Sequence, residues 1–220
     1  MIPTSIDKED MREIQEEIKE KSIIEDKFEV NEINSVAGVD QAFIEEKKII
    51  SGSVVLNCDF SVIDKNYVTR DINFPYISGF LAFREGNSVL ESIKKLKIDP
   101  DLVILDGSGI LHPRKAGLAT HIGLNLNKPT IGVIKNPFCG EKERNVKKVG
   151  EYSKVKIDKE TVGYCFKSKS ECNPIYISPG HKISKKTSLK ISKYFIKNHK
   201  LPEPIRNADN YVNQVKSQII

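Results

Sequence analysis

The feature that narrows this chain most is a four-residue apolar run, Leu-Val-Ile-Leu at 102–105, that stops on Asp106 and is followed by Gly107-Ser108-Gly109. Four residues are too few for a helix and suit a strand buried on both faces, as in parallel sheets. The glycine turn bends the backbone sharply and leaves room beside it. In open α/β sheets, chemistry collects at the carboxyl ends of such strands. A second apolar run, 130–134, ends in Lys135. Two neighbouring strands would then bring an acid and a base to one edge.

The rest of the chain supplies elements to flank those strands. Residues 8–22 read as an amphipathic helix, with Met11, Ile14 and Ile18 at helical spacing. Val36-Ala37-Gly38-Val39 reads as a strand ending on Asp40, and 49–56 and 60–68 as two strands joined by a turn at 57–59. An aromatic, glycine-bearing loop at 73–86 leads to a helix over 88–98. After the 102–105 strand come a helix over 114–127, the 130–134 strand and a basic surface loop at 137–149. Two strands are expected within 150–169, another at 175–178, and a helix over 184–198 started by a Ser cap. Beyond Pro202 and Pro204 the tail carries weaker signals.

This is a β-β-β-α-β-α-β order. The right-handed crossover rule sets the fourth strand parallel to the first and beside it. The expected fold is therefore α/β and ribonuclease H-like, a mixed central sheet of three antiparallel strands followed by parallel ones, flanked by helices. The 220 residues suit one domain spanning 1–220. With 39% apolar and 30% charged residues the chain is globular, not disordered. The net charge of +5 permits a polyanionic partner, and lysines recur from 182 to 200 without an Asp or Glu among them. Such a basic helix could follow a phosphate backbone or simply be a solvated face. The four cysteines show no C-x-x-C spacing and read as thiols in a reducing compartment. No apolar leader follows Met1 and no run approaches a membrane span, so a cytoplasmic location is expected.

The topology would place Asp40 alongside Asp106. Two carboxylates forced together repel unless a cation or a shared proton lies between them. Glu85, after the aromatic loop, is a natural third acid. Three carboxylates with no Cys or paired His favour Mg²⁺, with Mn²⁺ able to substitute, over zinc. Such a cation suits phosphodiester hydrolysis. Lys135 and His181 would supply charge or protons at the same edge. Each residue alone has a commoner structural use: a strand-end Asp as a turn cap, Glu85 as a helix cap, His121 as a packed helix residue. The argument rests on the set.

Taken in order, Val36-Ala37-Gly38-Val39-Asp40, the 75–85 segment PYISGFLAFRE, Leu105-Asp106-Gly107-Ser108-Gly109, His112-Pro113-Arg114, Ala119-Thr120-His121-Ile122-Gly123, Gly132-Val133-Ile134-Lys135 and the 178–184 segment SPGHKIS resemble endonuclease V, from about residue 36 to the Leu201-Pro202-Glu203-Pro204 tail. The resemblance implies a Mg²⁺-dependent nuclease that recognises deoxyinosine, cuts the second phosphodiester bond on its 3′ side and so begins DNA repair. It implies a metal site of Asp40, Glu85 and Asp106, with Lys135 and His181 as further active-site positions. Pro75, Tyr76 and Ile77 would form a wedge, with Tyr76 filling the gap where the damaged base leaves the stack. Gly79, Gly107, Ser108 and Gly109 would line the base pocket, and His112, Arg114 and His121 are candidate phosphate contacts. Two positions depart from the family's usual pattern, Ser78 in the wedge and Ser108 after Asp106-Gly107. Neither is a presumed metal ligand. The expected partner is inosine-containing DNA, bound by a monomer with no membrane. Alternatives are the same chemistry on inosine-containing RNA, or a non-catalytic nucleic-acid binding module. An actin-type ATPase would need two domains with paired phosphate loops, which this length does not provide.

Overall fold

The computed structural model describes Ile2 and residues 7–219. Nine strands form one sheet in the order β3-β2-β1-β4-β5-β9-β8-β7-β6. The first three, β1 (Ser35–Ile44), β2 (Lys48–Asn57) and β3 (Val62–Asp71), are an antiparallel meander. The chain then crosses by α2 (Leu81–Lys94) to β4 (Leu102–Asp106), parallel to β1, and by α3 (Leu118–Leu126) to β5 (Thr130–Ile134), parallel to β4. Four further strands extend the sheet antiparallel beyond β5: β9 (Ile175–His181), β8 (Glu160–Phe166), β7 (Tyr152–Ile157) and the two-residue β6 (Glu141–Lys142). The expected ribonuclease H-like arrangement is present, with α1 (Lys8–Lys21), α4 (Lys185–Tyr194) and α5 (Glu203–Ile219) completing the two helical layers.

Alternation along the central strands sorts side chains between the layers. Ala37, Val39, Val103 and Leu105 enter a core shared with α2 and α3, including Phe83, Val89 and Ile122. Val36, Leu102, Ile104, Ile131 and Val133 enter the opposite core, with Leu189 of α4, Phe195 just past its end and Ile205 of α5. Continuing each alternation places Asp40, Asp106 and Lys135 on the α4–α5 side, at the edge where the strands end.

Three elements differ from their expected bounds. Helix α2 begins at Leu81 rather than 88, so Glu85 lies inside its second turn and is not a cap. Gly86 made this stretch read as loop, yet it is a close contact: a Cβ there would meet the Ile2 side chain at 2.3 Å. Helix α3 starts only at Leu118, because 112–117 is spent on turns, and it ends at Asn127 in the left-handed region (φ 57°). The weak-signal tail is α5, with 17 residues. Pro202 and Pro204 read as terminators, but a proline in a helix's first turn removes only an N–H that has no helical partner. Ser184 caps α4 as expected, accepting from the Thr187 N–H at 3.1 Å. Among the described residues no helix is long and apolar enough to cross a membrane.

Helix α5 lies on β1 and β2, burying Ala208, Val212 and Val215 against Ala42, Ile50 and Val54. Its start is seated on Gly38, where a Cβ would fall 1.9 Å from the Pro204 carbonyl oxygen. Only backbone can meet backbone here. Gly38→Ala is expected to push α5 off the sheet and lower stability by about 1–3 kcal/mol, the usual range for overpacking; a denaturant midpoint equal to that of the unaltered protein would contradict it.

Candidate active site

The parallel pairing of β1 and β4 sets Val39 opposite Leu105, so Asp40 and Asp106 emerge side by side. Burial, and then the Asp106 charge, push the Asp40 carboxyl up to about 7, even though the Gln41 N–H donates to its Oδ1 at 2.8 Å. Glu85 arrives from α2 and is 6% exposed. Burial raises its carboxyl to about 8, with Asp106 and Asp40 adding to the rise and the Arg84 guanidinium opposing it. Arg84 is itself held by Glu46 at 2.6 Å. From the next strand, Lys135 Nζ meets Asp106 Oδ2 at 3.2 Å, and that anion raises the lysine's pKa. Asp40, Glu85, Asp106 and Lys135 therefore share one edge.

A fourth acid joins them. Asp209, on the solvent-exposed side of α5, adds to the rise at Asp40 and at Lys135. Sequence reasoning missed it because it lies in the tail, outside any motif, and reaches the edge only when α5 folds back over Gly38. The donor set is all hard oxygen, with more negative charge than Lys135 offsets, which suits a hard divalent cation. Among the described residues no three acidic, imidazole or thiol groups close into a ready-made cage. That is compatible with a Mg²⁺-like ion, which keeps several waters and is commonly held by one or two carboxylates together with substrate phosphate.

Beside the acids is a cavity of about 250 Å³. Gly79, Gly107 and Ser108 line it as expected, with Tyr76 at its mouth. Asn136, Phe138 and Gln15 also line it and were not foreseen. Gly109 does not: its N–H donates to Ser178 Oγ at 2.9 Å and its Cα is pressed against the Pro179 carbonyl. Of the wedge, Pro75 is exposed and Tyr76 is 69% exposed, whereas Ile77 is half-buried against the core and anchors the loop. The loop turns at Gly79, whose φ of +81° only glycine adopts readily. The Gly79 carbonyl accepts from Gln15 Nε2 at 2.9 Å, from an Arg114 terminal nitrogen at 2.9 Å and from His112 Nε2 at 3.1 Å.

That knot gives several candidate phosphate contacts another job. Arg114 also donates through Nε to Gln15 Oε1 and covers the Phe80 ring at 4.5 Å, so it braces the wedge loop from behind. His112 accepts from the Arg114 N–H on Nδ1 and donates from Nε2, which makes it a neutral wall of the cavity. His121 is 1% exposed inside α3, edge-on to Phe83, and neither ring nitrogen has a hydrogen-bond partner among the described residues. It is a core histidine. His181 is not at this edge either: β9 runs antiparallel to β5 and sets His181 opposite Thr130, roughly 15 Å of strand rise from Lys135. There it is buried, and its Nδ1 accepts from the Ile23 N–H at 3.3 Å.

A sheet of this order with acids from two parallel strands and the intervening helix at its carboxyl edge is the ribonuclease H-like arrangement, and its chemistry suits metal-assisted phosphoryl transfer. Known proteins narrow the class. The family profile described as Endonuclease V matches residues 16–210. Endonuclease V of Archaeoglobus fulgidus is 41% identical over 212 residues, covering 96% of this chain and 94% of that protein. The crystal structure of endonuclease V from Bacillus subtilis superposes with a TM-score of 0.91 at 30% identity, covering 99% of this chain and 96% of that one. Endonuclease V of Ciona intestinalis, solved with a 24mer DNA containing an inosine followed by a ribo-adenosine, gives a TM-score of 0.81 at 26% identity, covering 96% and 98%. The chain belongs to the endonuclease V family.

The two buried histidines give the fold an acid sensitivity of definite sign. Burial pushes His112 down to about 4 and His121 down to about 3, against 6.5 when exposed. Below pH 6.5 the unfolded chain binds these protons and the folded one resists them, so stability falls on acidification. Asp40 and Glu85 act oppositely, since their raised values make the folded state the better proton binder, from about pH 4 to 7 for Asp40 and up to about 8 for Glu85. His121→Leu separates the two effects. Between pH 6 and 4 the unaltered protein should lose about 1.4 kcal/mol per pH unit relative to the variant, and parallel stability–pH curves would refute it.

Proposed function

We propose that this chain hydrolyses inosine-containing DNA at the second phosphodiester bond 3′ to the lesion, with Mg²⁺ or Mn²⁺, and so opens repair of deaminated adenine. The observation that carries this reading is the junction of the acidic edge with the glycine-lined cavity, since Asp106 belongs to both. A base held in the cavity leaves its strand running past Asp40, Asp106 and Lys135. The Ciona relative, bound to inosine-containing DNA, supports the choice of base.

In this reading Asp40, Glu85 and Asp106 hold the cation, whose contribution is to polarise a phosphoryl oxygen and to make a water acidic enough to attack. Lys135 offsets charge building on the phosphate and, through its 3.2 Å contact, orients the Asp106 carboxylate. Asp209 adds negative charge behind Asp40. The Tyr76 ring fills the space the base vacates and offsets lost stacking, which costs a few kcal/mol per step. A mispaired inosine leaves its helix more readily than a paired base. Backbone close against the base edge crowds the position of guanine's exocyclic amine, which hypoxanthine lacks. The ribo-adenosine after the inosine in the Ciona complex favours a second reading, cleavage of inosine-containing RNA by the same residues.

A labelled inosine duplex, in DNA and RNA versions, tests both readings. Nicking is expected with Mg²⁺, to stop on chelation, and to fall at least about 10³-fold in Asp106→Asn with the fold retained. Nicking that survives chelation would reject the mechanism, and faster cutting of the RNA duplex would select the second reading. Tyr76→Ala should lose about tenfold or more of its preference for inosine over undamaged sites, the scale of one stacking contact. Equal discrimination by that variant would remove Tyr76 from the wedge.

A further inference from the structure

Away from the acids, α4 and the β7–β8 hairpin enclose a groove of about 500 Å³ that includes Tyr152, Lys154, Tyr164, Lys186, Lys190 and Lys193. We propose that this groove is a second nucleic-acid contact surface, a phosphate track for the flank of the strand whose scissile bond lies at Asp106. The proposal rests on the reading that the chain acts on nucleic acid, and extends it to a face that no motif marks.

Four observations carry it. The first is unneutralised charge. Lys154, Lys186, Lys190 and Lys193 are all exposed, and none forms an ion pair among the described residues. Their neighbours are paired: Lys185 with Glu160 at 3.3 Å and Lys156 with Glu143 at 2.7 Å. Glu160 is further occupied by Lys115, so the nearby acids are already engaged. The second is spacing. Positions 186, 190 and 193 form one stripe on α4, as i, i+4 and i+7 residues do.

The third is aromatic interleaving. Tyr152 is 46% exposed and stands edge-on to Tyr164 at 5.7 Å. Lys193 Nζ lies over the Tyr152 ring at 5.7 Å and the Phe166 ring at 5.5 Å, which holds its ammonium in place. Ammonium groups set among tyrosine rings and hydroxyls are the chemistry that grips a sugar–phosphate backbone and its bases. A merely solubilising surface has no reason to hold a lysine such as Lys193 over two rings.

The fourth is register. Tyr164 pairs with both Ile177 and Lys154, and Ile177 pairs with Val133, so these four share a row and a face. In the next row Phe166 pairs with Ile175 and Tyr152, and one more step along β5 and β9 sets Lys135 level with Ile175. The groove thus lies on the face that Asp40, Asp106 and Lys135 occupy. Three strand spacings separate β7 from β5, roughly 14 Å, which is about four steps of duplex at 3.4 Å each. A strand leaving the acidic edge reaches the lysines without changing sides.

Salt dependence of binding is the test. A labelled, inosine-free duplex of ~30 base pairs would be titrated without divalent cation from about 50 to 200 mM salt. With Lys154, Lys186, Lys190 and Lys193 all changed to Gln, the log–log slope should shrink by about 3 to 4, and the four-Arg variant should restore it. An unchanged slope in a Gln variant that melts like the unaltered protein would overturn the proposal. If the quadruple variant does not fold, Lys186→Gln/Lys190→Gln and Lys154→Gln/Lys193→Gln are each measured, and two unchanged slopes overturn it equally. Position is tested with inosine duplexes trimmed to fewer than about four base pairs beyond the lesion on either side, since one trimmed end should erase the difference between variant and unaltered protein. A difference that persists with both ends trimmed refutes the placement. Loss of binding to phosphatidylserine vesicles with no change on DNA would assign the lysines to a lipid surface instead. Because the salt series needs neither inosine nor catalysis, failed cleavage with a shifted slope counts against the catalytic reading alone.

Discussion

The closeness of Asp40 and Asp106 is the constraint on which the rest of this molecule turns. It follows from one topological fact, that the chain crosses from β3 over α2 and returns parallel to β1. Adjacent strands are about 4.8 Å apart. Two charges at that distance repel by roughly 3 kcal/mol at an effective dielectric of 20. Partial burial adds a desolvation cost, and both effects appear in the rise of Asp40 to about 7. A fold that only needed to be stable would place apolar side chains there, as the same strands do at Val39 and Leu105. A cation seated between the two carboxylates would relieve that repulsion, which is why the pair suits the metal-assisted chemistry proposed above.

Such a site tolerates little movement, and its surroundings are built to match. The wedge loop is exposed at Tyr76, yet one residue on it, Ile77, packs half-buried against the core, and the Gly79 carbonyl collects three donors from α1 and the 112–114 turn. Gln15 is the least expected member, buried on the face of an otherwise surface helix. Its amide links Gly79 and Arg114, which lie far apart in sequence. The loop therefore has a stiff base and a free tip, as the proposed wedge role requires. The motif residues His112 and Arg114 thus act at one remove: they hold the loop that carries Tyr76.

Local pattern revealed much of this and long-range folding hid the remainder. Short apolar runs ending in Asp40, Asp106 and Lys135, combined with the handedness of crossovers, were enough to bring those three residues to one edge. Glu85 was legible as an acid near the site but not as a helical one, because Gly86 reads as loop until Ile2 is seen filling the space beside it. Two errors share a cause. His181 was assigned to the active edge from its motif, but strand direction decides which end of the sheet a residue reaches, and β9 runs the other way. Asp209 was passed over because prolines 202 and 204 resemble a stop, while in the folded chain they begin the helix that carries it. Periodicity cannot report either fact, since both depend on how a segment docks after it forms.

The distribution of charge gains meaning from that geometry. The edge that carries Asp40, Glu85 and Asp106 is acidic, so by itself it repels a phosphate backbone. The net charge of +5 does not correct this unless it is placed where a strand can feel it. At about 0.1 M salt, exposed charges are screened over about 10 Å. The α4 groove, roughly 14 Å from β5 by strand spacing, lies just beyond that range from the acids. Its attraction for a polyanion is therefore not cancelled by them. Had the lysines been set among the carboxylates, each would have been consumed in an ion pair, as Lys135 is with Asp106. Separating the two along one face keeps the groove's charge available to a polyanion and keeps those lysines from occupying the acids.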